Sequence, residues 1–388
     1  MTQDRVSLAV TFAGLKLKSP IIAASAPPTE SVAALCACAR AGAGAVVTKS
    51  IVDYDRNAWP NIPRRVKRDR QRFWIQGSFS SETLTVPEGV AMISEARNQI
   101  DIPIIASVGV LDPSGDAAID TATRLVEAGA DFVHFDLFYL PQPRCTDAIV
   151  AELRALFARA RKEIPAPFGP KLNADIPAHL FASAVSPGEV DAVFLLDSIR
   201  VPPPLSATGE PQIGALRGGL ECSLFGGDWQ KPITLQYSRV LAEASMPNLS
   251  VGGGLRGAED ILEAIMLGAT TVQAATPIIL HGFDWITRTN DHLEQLLEQR
   301  RHGNLSDARG LALRVRDRNA PEHVLPIRAV VDADRCVPCG VCTKLAFCEF
   351  ITAEPGGVPQ ISADCYGCGL CVELCPPKAE AIRMEAAE

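Results

Sequence analysis

Eight of the twelve cysteines in this 388-residue chain fall into two runs near its end, and no other feature restricts the fold so strongly. The first run reads Cys336-x2-Cys339-x2-Cys342-x5-Cys348, and the second reads Cys365-x2-Cys368-x2-Cys371-x3-Cys375-Pro376. A thiolate is a soft ligand, and three of them at x2 spacing on a tight loop converge on one cluster of irons. The fourth ligand arrives from the other run, so the two clusters brace each other. The spacing therefore predicts two 4Fe-4S clusters. Cys336, Cys339, Cys342 and Cys375 hold one, and Cys365, Cys368, Cys371 and Cys348 hold the other.

Zinc and disulfides are the competing readings. Zinc needs only two Cys-x2-Cys pairs, whereas each run here supplies a third cysteine at the same spacing. Disulfides belong to secreted chains, and the start Met1-Thr2-Gln3-Asp4-Arg5 has no basic region followed by an apolar core. Reduced thiols with iron–sulfur centres point to the cytoplasm.

The length suits one large domain plus a small one. A hydrophobic content of 47% with 21% charged residues is that of a folded globular chain. The formal charge of −8 argues against nucleic acid as the main partner. No uncharged apolar run approaches the roughly 18 residues of a membrane span, so no membrane segment is expected.

From residue 20 onward a unit recurs: a short apolar run, a polar loop, then an amphipathic segment. The apolar runs cover residues 20–25, 45–49, 103–108, 132–137, 168–172, 192–196, 249–252 and 270–275. Helix-like stretches with apolar residues three and four apart lie between them, as at 31–41, 87–98, 117–128 and 258–267. Most of the runs are apolar nearly throughout, the pattern of a parallel strand covered on both faces. Eight such units predict a (β/α)8 TIM barrel over residues 1–315, followed by a small iron–sulfur domain over 316–388. Chemistry on such a barrel sits on the loops that follow the strands.

The second strand ends in Thr48-Lys49-Ser50. A lysine there sits against a flavin or a phosphate, or else is a surface lysine at the loop mouth. Further along, Arg64, Arg65, Lys67, Arg68, Arg70 and Arg72 form a basic run in a net acidic chain. It reads first as a solvated loop, and otherwise as an attractor for an anionic substrate or an acidic redox partner. The seventh strand ends in Gly252-Gly253-Gly254-Leu255-Arg256-Gly257, a formal match to the dinucleotide fingerprint. On the penultimate barrel strand, such glycines expose N–H groups to a phosphate. The expected site is therefore for a mononucleotide phosphate, closed by Ala275 and Thr276 from the last strand. Gly226-Gly227 before Asp228 lets the backbone approach the same ligand.

Together these residues resemble the dihydroorotate dehydrogenase family of FMN barrels, and more closely its dihydropyrimidine dehydrogenase branch. The resemblance rests on Ala24-Ser25, Val47-Thr48-Lys49-Ser50, Lys171-Leu172, Asp197-Ser198, Gly226-Gly227-Asp228 with Lys231-Pro232, and Gly253-Gly254 with Val272-Gln273-Ala274. It covers nearly the whole chain, including a ferredoxin-like tail. It implies FMN in the barrel, with the phosphate on the loops after strands seven and eight and Lys49 and Lys171 against the flavin. It also implies electrons reaching or leaving the flavin through the tail clusters.

Departures from the family pattern concern the substrate. The fourth strand of those enzymes ends in a Glu-Leu-Asn-Leu-Ser-Cys-Pro type sequence whose asparagine binds the pyrimidine and whose cysteine exchanges a proton with it. Here the stretch is His134-Phe135-Asp136-Leu137-Phe138-Tyr139-Leu140. Asp197 stands for another asparagine, and Trp74-Ile75-Gln76 falls where a third is expected. An ionised carboxylate only accepts hydrogen bonds, so the paired donor and acceptor that a uracil ring needs are gone. This points away from uracil, thymine and orotate.

Hydride transfer at one carbon of a C=C bond requires proton transfer at its neighbour. Tyr139 falls where the cysteine would be. With a pKa near about 10 against about 8.5, tyrosine suits proton donation and so reduction. Cys145 in the same loop competes for that role, and either is otherwise pocket lining. Asp136 and Asp197 can bind hydroxyl or amino groups of a substrate. His134 lies on the same strand face as Asp136, one pleat deeper, where inward residues also pair with one another. Cys36, Cys38 and Cys222 read as small buried hydrophobes. With no convincing second dinucleotide site, electrons are expected from a ferredoxin, a flavodoxin or a separate FAD- and NAD(P)H-binding reductase subunit. Relatives suggest a homodimer. The alternatives are a non-catalytic electron-relay subunit of a larger complex and a zinc-stapled, non-redox barrel.

Overall fold

The eight apolar runs become eight parallel strands of one closed barrel: Ile21–Ala23, Ala45–Val47, Ile104–Gly109, Phe132–Asp136, Phe168–Lys171, Val193–Leu195, Leu249–Gly252 and Thr271–Ala274. They are numbered one to eight below. The computed structural model describes residues 6–53, 65–68, 74–77, 83–140, 147–196, 198–202, 205–210, 222–225, 228–314, 327–345, 348–376 and 378–386, with 65–68, 74–77, 147, 222–225 and 228 as backbone only. Ala24 N–H donates to Ala274 O at 2.9 Å, tying strand one to strand eight. Helices alternate with the strands, so the chain has the (β/α)8 architecture. The stretches read as helical are Val32–Arg40, Val86–Arg97, Asp116–Glu127 and Ala258–Met266. Their ends follow local chemistry: Ser31 Oγ accepts from Ala34 N–H, and Thr85 and Glu88 form a capping box before Pro87.

Strand alternation divides the core in two. Val46, Ile104, Val133, Phe135 and Val251 face outward against the helices, in one large apolar shell. Ile22, Ala45, Val47, Ile105, Phe132 and Phe194 fill the barrel interior, with Phe12 among them. Phe12 belongs to a hairpin, Val10–Phe12 with Leu15–Leu17, and its ring lies 6.0 Å from Phe132 and 5.6 Å from Phe194. Such tilted and edge-on contacts are the preferred aromatic geometry.

A second sheet was not expected. Ile199–Val201, Cys222–Phe225, Trp74–Gly77 and Arg65–Arg68 form an antiparallel four-stranded sheet from the chain that follows strands two and six. Part of the basic run read as a solvated loop is therefore a strand, with Arg65 opposite Gly77 and Arg68 opposite Trp74.

The chain divides into two compact units, Met1–Val315 and Arg316–Glu388. The second contains an antiparallel pair, Ile327–Val331 with Ile382–Ala386, a short pair, Ile351–Thr352 with Gln360–Ile361, and a single helical turn, Leu370–Leu374. No helix among the described residues is long and apolar enough to cross a membrane.

Candidate active site and cysteine cavities

Strand four presents Phe132, His134 and Asp136 inward, since Val133 and Phe135 belong to the outer shell. Asp136 is 3% exposed and pairs across the ladder with Lys171, itself 7% exposed. The carboxylate takes a hydrogen bond from Ser50 Oγ at 3.2 Å through Oδ2, and one from Phe138 N–H at 3.2 Å through Oδ1. Ser50 Oγ also lies 3.1 Å from Ser25 Oγ and 3.4 Å from Ser107 Oγ. Four barrel strands thus meet at one hydroxyl. Lys49, beside Ser50, is as buried as Lys171. A lysine withdrawn from water is costly unless a charge or ligand faces it. The two buried lysines and the buried carboxylate make this end of the barrel polar by construction.

His134 does not pair with Asp136. Its ring stacks on Phe194, with centroids 4.7 Å apart and planes at 9°, and neither ring nitrogen has a hydrogen-bond partner. Full burial, reinforced by the Lys171 charge, holds its pKa well below the usual histidine range, so the imidazole is neutral.

Tyr139 sits in a turn of 3-10 helix after strand four, half-buried. Its ring lies against Gly109, where a Cβ would come 3.1 Å from Tyr139 Cδ2. The loop that carries it is clamped by two residues that the sequence did not single out. Asn173 Nδ2 donates to Leu137 O at 3.3 Å, and Arg200 donates to the carbonyls of Phe138 and, at 2.9 Å, Leu140. Arg200 also stacks 4.8 Å over the Phe138 ring and pairs with Asp175 at 3.5 Å. An isolated arginine in a loop reads as surface charge, and only its 8% side-chain exposure shows otherwise.

Gly253 and Gly254 both adopt left-handed backbone, at φ of +96° and +81°. A Cβ on Gly254 would fall 2.3 Å from Lys231 N, and one on Gly253 2.4 Å from Gln230 Nε2, so only glycine fits. Lys231 itself is held by Asp260 and Glu263, each at 2.7 Å. Ala275 caps the short helix Thr276–His281, and Ser198 is half-buried after strand six. Asp197, Cys145 and Gly227 lie outside the described residues. Cys36 and Cys38 are buried, and burial pushes the Cys38 thiol up to about 12.

In the second unit the cysteines gather around two cavities. Cys336, Cys339, Cys342 and Cys375 line one; Cys348, Cys365, Cys368 and Cys371 line the other. Most of the remaining lining is apolar, including Val337, Ala381 and Ile382 in the first, and Ala329, Leu345 and Ile351 in the second. Burial pushes the Cys336, Cys342 and Cys371 thiols up, and negative charge on cysteines of the same cavity adds to it. Ala381 N–H donates to Cys375 Sγ at 3.2 Å. None of the described cysteines forms a disulfide. Nor, among the described residues, do three or more His, Cys, Asp or Glu converge as a single ion requires. A cubane is held from a wider ring than a point ion, because its thiolates surround a body of four irons.

No family model matches the chain. Dihydroorotate dehydrogenase B (NAD(+)), catalytic subunit, of Methanosarcina mazei is 28% identical over 325 residues, 80% of this chain and 96% of the relative. The protein of the same description from Thermoplasma volcanium is 23% identical over 79% of this chain and 99% of its own length. The NAD-dependent dihydropyrimidine dehydrogenase subunit PreA of Escherichia coli K12 is 24% identical over 358 residues, 88% of this chain and 85% of its own. Over most of its length the chain is similar to the dihydroorotate and dihydropyrimidine dehydrogenases. The PreA likeness covers more residues than the first unit holds, so it extends into the second.

Proposed function

We propose that the chain is an FMN-dependent oxidoreductase that reduces an activated C=C bond of a small polar or heterocyclic compound, or dehydrogenates it in reverse, with electrons passing through two 4Fe-4S clusters. The observation that carries this reading is the crossed gathering of cysteines, three from one run and one from the other around each cavity. Two-cluster ferredoxins use that ligand pattern, and a mononuclear zinc site has no use for it.

The barrel residues fit FMN. The Gly253-Gly254 turn and the start of Thr276–His281, with Ala275, would hold the phosphate. Ala24, Ser25, Lys49, Lys171, Ser198 and Gly227 would line the ring and ribityl chain. Bound FMN supplies two-electron chemistry toward the substrate and one-electron chemistry toward the clusters. Asp136 and Asp197 bind the substrate through its O–H or N–H groups, because carboxylates accept and do not donate. Tyr139 or Cys145 supplies the proton at the second carbon. Uracil and orotate, which need amide partners, are excluded in this reading. A ferredoxin, a flavodoxin or a separate FAD- and NAD(P)H-binding subunit exchanges electrons with the tail of a cytoplasmic homodimer.

Anaerobic purification tests the reading, with about one FMN and about eight irons expected per chain. A screen of enones, unsaturated lactams and N-heterocycles should then find a compound that reoxidises the reduced flavin. Clusters without flavin would make the chain an electron relay, and a colourless zinc protein would remove redox chemistry altogether.

A further inference from the structure

The hydroxyl at the meeting point of strands one to four has a use that the proposed chemistry does not yet assign. Ser50 is 2% exposed and has three polar neighbours within hydrogen-bonding reach: Asp136 Oδ2, Ser25 Oγ and Ser107 Oγ. A serine carries one hydrogen and two lone pairs, and an ionised carboxylate offers lone pairs only. The directions are therefore forced. Ser50 donates to Asp136, and its two lone pairs receive the hydrogens of Ser25 and Ser107. Ser25 is the outermost link, half-buried where the other two serines are buried.

We infer that Ser50 is a positioning residue that keeps Asp136 ionised and joins it, through Ser25, into a chain along which one proton passes between the carboxylate and the barrel mouth. The inference rests on reading Asp136 as a substrate-facing group of a proton-coupled reduction. When Asp136 takes up a proton, the order of hydrogens reverses. A hydronium ion at the barrel mouth protonates Ser25 oxygen and is left as water, as Ser25 gives its hydrogen to Ser50 and Ser50 gives its own to Asp136. Each serine gains one proton and loses one, no electrons move, and both hydroxyls end as they began. Ser50, with a polar neighbour on either side, suits that exchange better than a lone buried carboxylate would.

The charged and titratable groups around Asp136 do not replace this link. Lys171 faces it across the strand ladder and favours the ionised form, and Lys49 adjoins Ser50 in the chain. His134, one pleat below, is neutral and makes no hydrogen bond. The Arg200–Asp175 pair and Tyr139 belong to the clamped loop that follows strand four. Removing the Ser50 hydroxyl leaves all of these charges in place, so any change at Asp136 reports the hydroxyl.

The test is an infrared or carbon-13 titration of the Asp136 carboxyl in the full chain, which requires no turnover. Ser50→Ala should raise the Asp136 midpoint by about one pH unit, because a donor to the charged form is lost. Ser50→Thr, which keeps the hydroxyl, should stay within about 0.3 of wild type, within the same hydrogen-bond logic. Ser25→Ala, at the half-buried end, tests the outer link even should the Ser50 variants fold poorly, and should raise the midpoint by less. An unmoved midpoint in Ser50→Ala, equal shifts in Ser50→Ala and Ser50→Thr, or no shift in Ser25→Ala overturns the inference. Absence of flavin or of any reducible substrate would instead strike the proposed function, leaving the titration result intact.

Discussion

In the barrel, Phe12, Phe132 and Phe194 fill the interior and a shell of valine, isoleucine and leucine packs the outside. In the second unit, two of the five buried core residues are Cys342 and Cys371, and Cys348, Cys365 and Cys375 pack around them. The first unit therefore has a hydrocarbon core independent of anything it binds. The second has cysteine thiols among its few buried residues, so under the proposed function part of its ligand set would also be part of its core. Small domains of that kind depend on a staple, and metal binding then becomes folding free energy.

The largest effect should come from breaking the second unit. Cys371→Ala should cut the iron content from about eight to about four or fewer per chain and abolish protection of the 327–386 amides in hydrogen exchange. The barrel should keep its unfolding transition, read by tryptophan fluorescence, since all four tryptophans lie in the first unit. Loss of both units together would erase the contrast.

Next in size is a change that costs activity and no stability. Tyr139→Phe should lower turnover by about 10²- to 10⁴-fold if its hydroxyl is the proton donor, with an unchanged melting temperature, because the substitution keeps the half-buried ring. A variant with full turnover transfers the role to Cys145, which Cys145→Ser tests in the same assay.

Gly254→Ala separates backbone shape from side-chain packing. It should destabilise the barrel by about 1–3 kcal/mol through its left-handed backbone, and more through the clash with Lys231, and should weaken FMN retention in gel filtration. Wild-type retention would remove the turn from the phosphate site.

The smallest effect is a pH slope. The folded-state pKa of His134 lies well below its ordinary value of 6.5. Below that value the unfolded chain binds a proton that the folded barrel refuses. Stability therefore falls with pH by about 1.4 kcal/mol per unit, down to the folded pKa. His134→Leu should flatten that part of the profile in urea melts followed by tryptophan fluorescence, and an unchanged slope would refute the assignment.

The same contrast governs what could be read from the residues alone. Parallel strands buried on both faces, such as Ile104–Gly109, write themselves as unbroken apolar runs, and amphipathic helices such as Asp116–Glu127 by their period. Cysteine spacing is equally local. The four-stranded sheet was invisible because charge hides the pattern of Arg65–Arg68, and Trp74–Gly77 finds its partner Cys222–Phe225 well over a hundred residues away. Ser25 and Ser50 were legible only as parts of motifs at strand ends; that they and Ser107 meet at one carboxylate shows only once the barrel closes, and so does the clamp made by Arg200.

The central claim is that one chain joins a flavin-holding barrel to a sulfur-ligated electron path. An anaerobic reductive titration, followed by absorbance for the flavin and by electron paramagnetic resonance for the irons, tests it directly. The account predicts that flavin bleaching and reduced-cluster signals develop within one titration and that added oxidised substrate reverses both. A chain with no flavin, or with irons whose signals do not respond when the flavin is reoxidised, would contradict it.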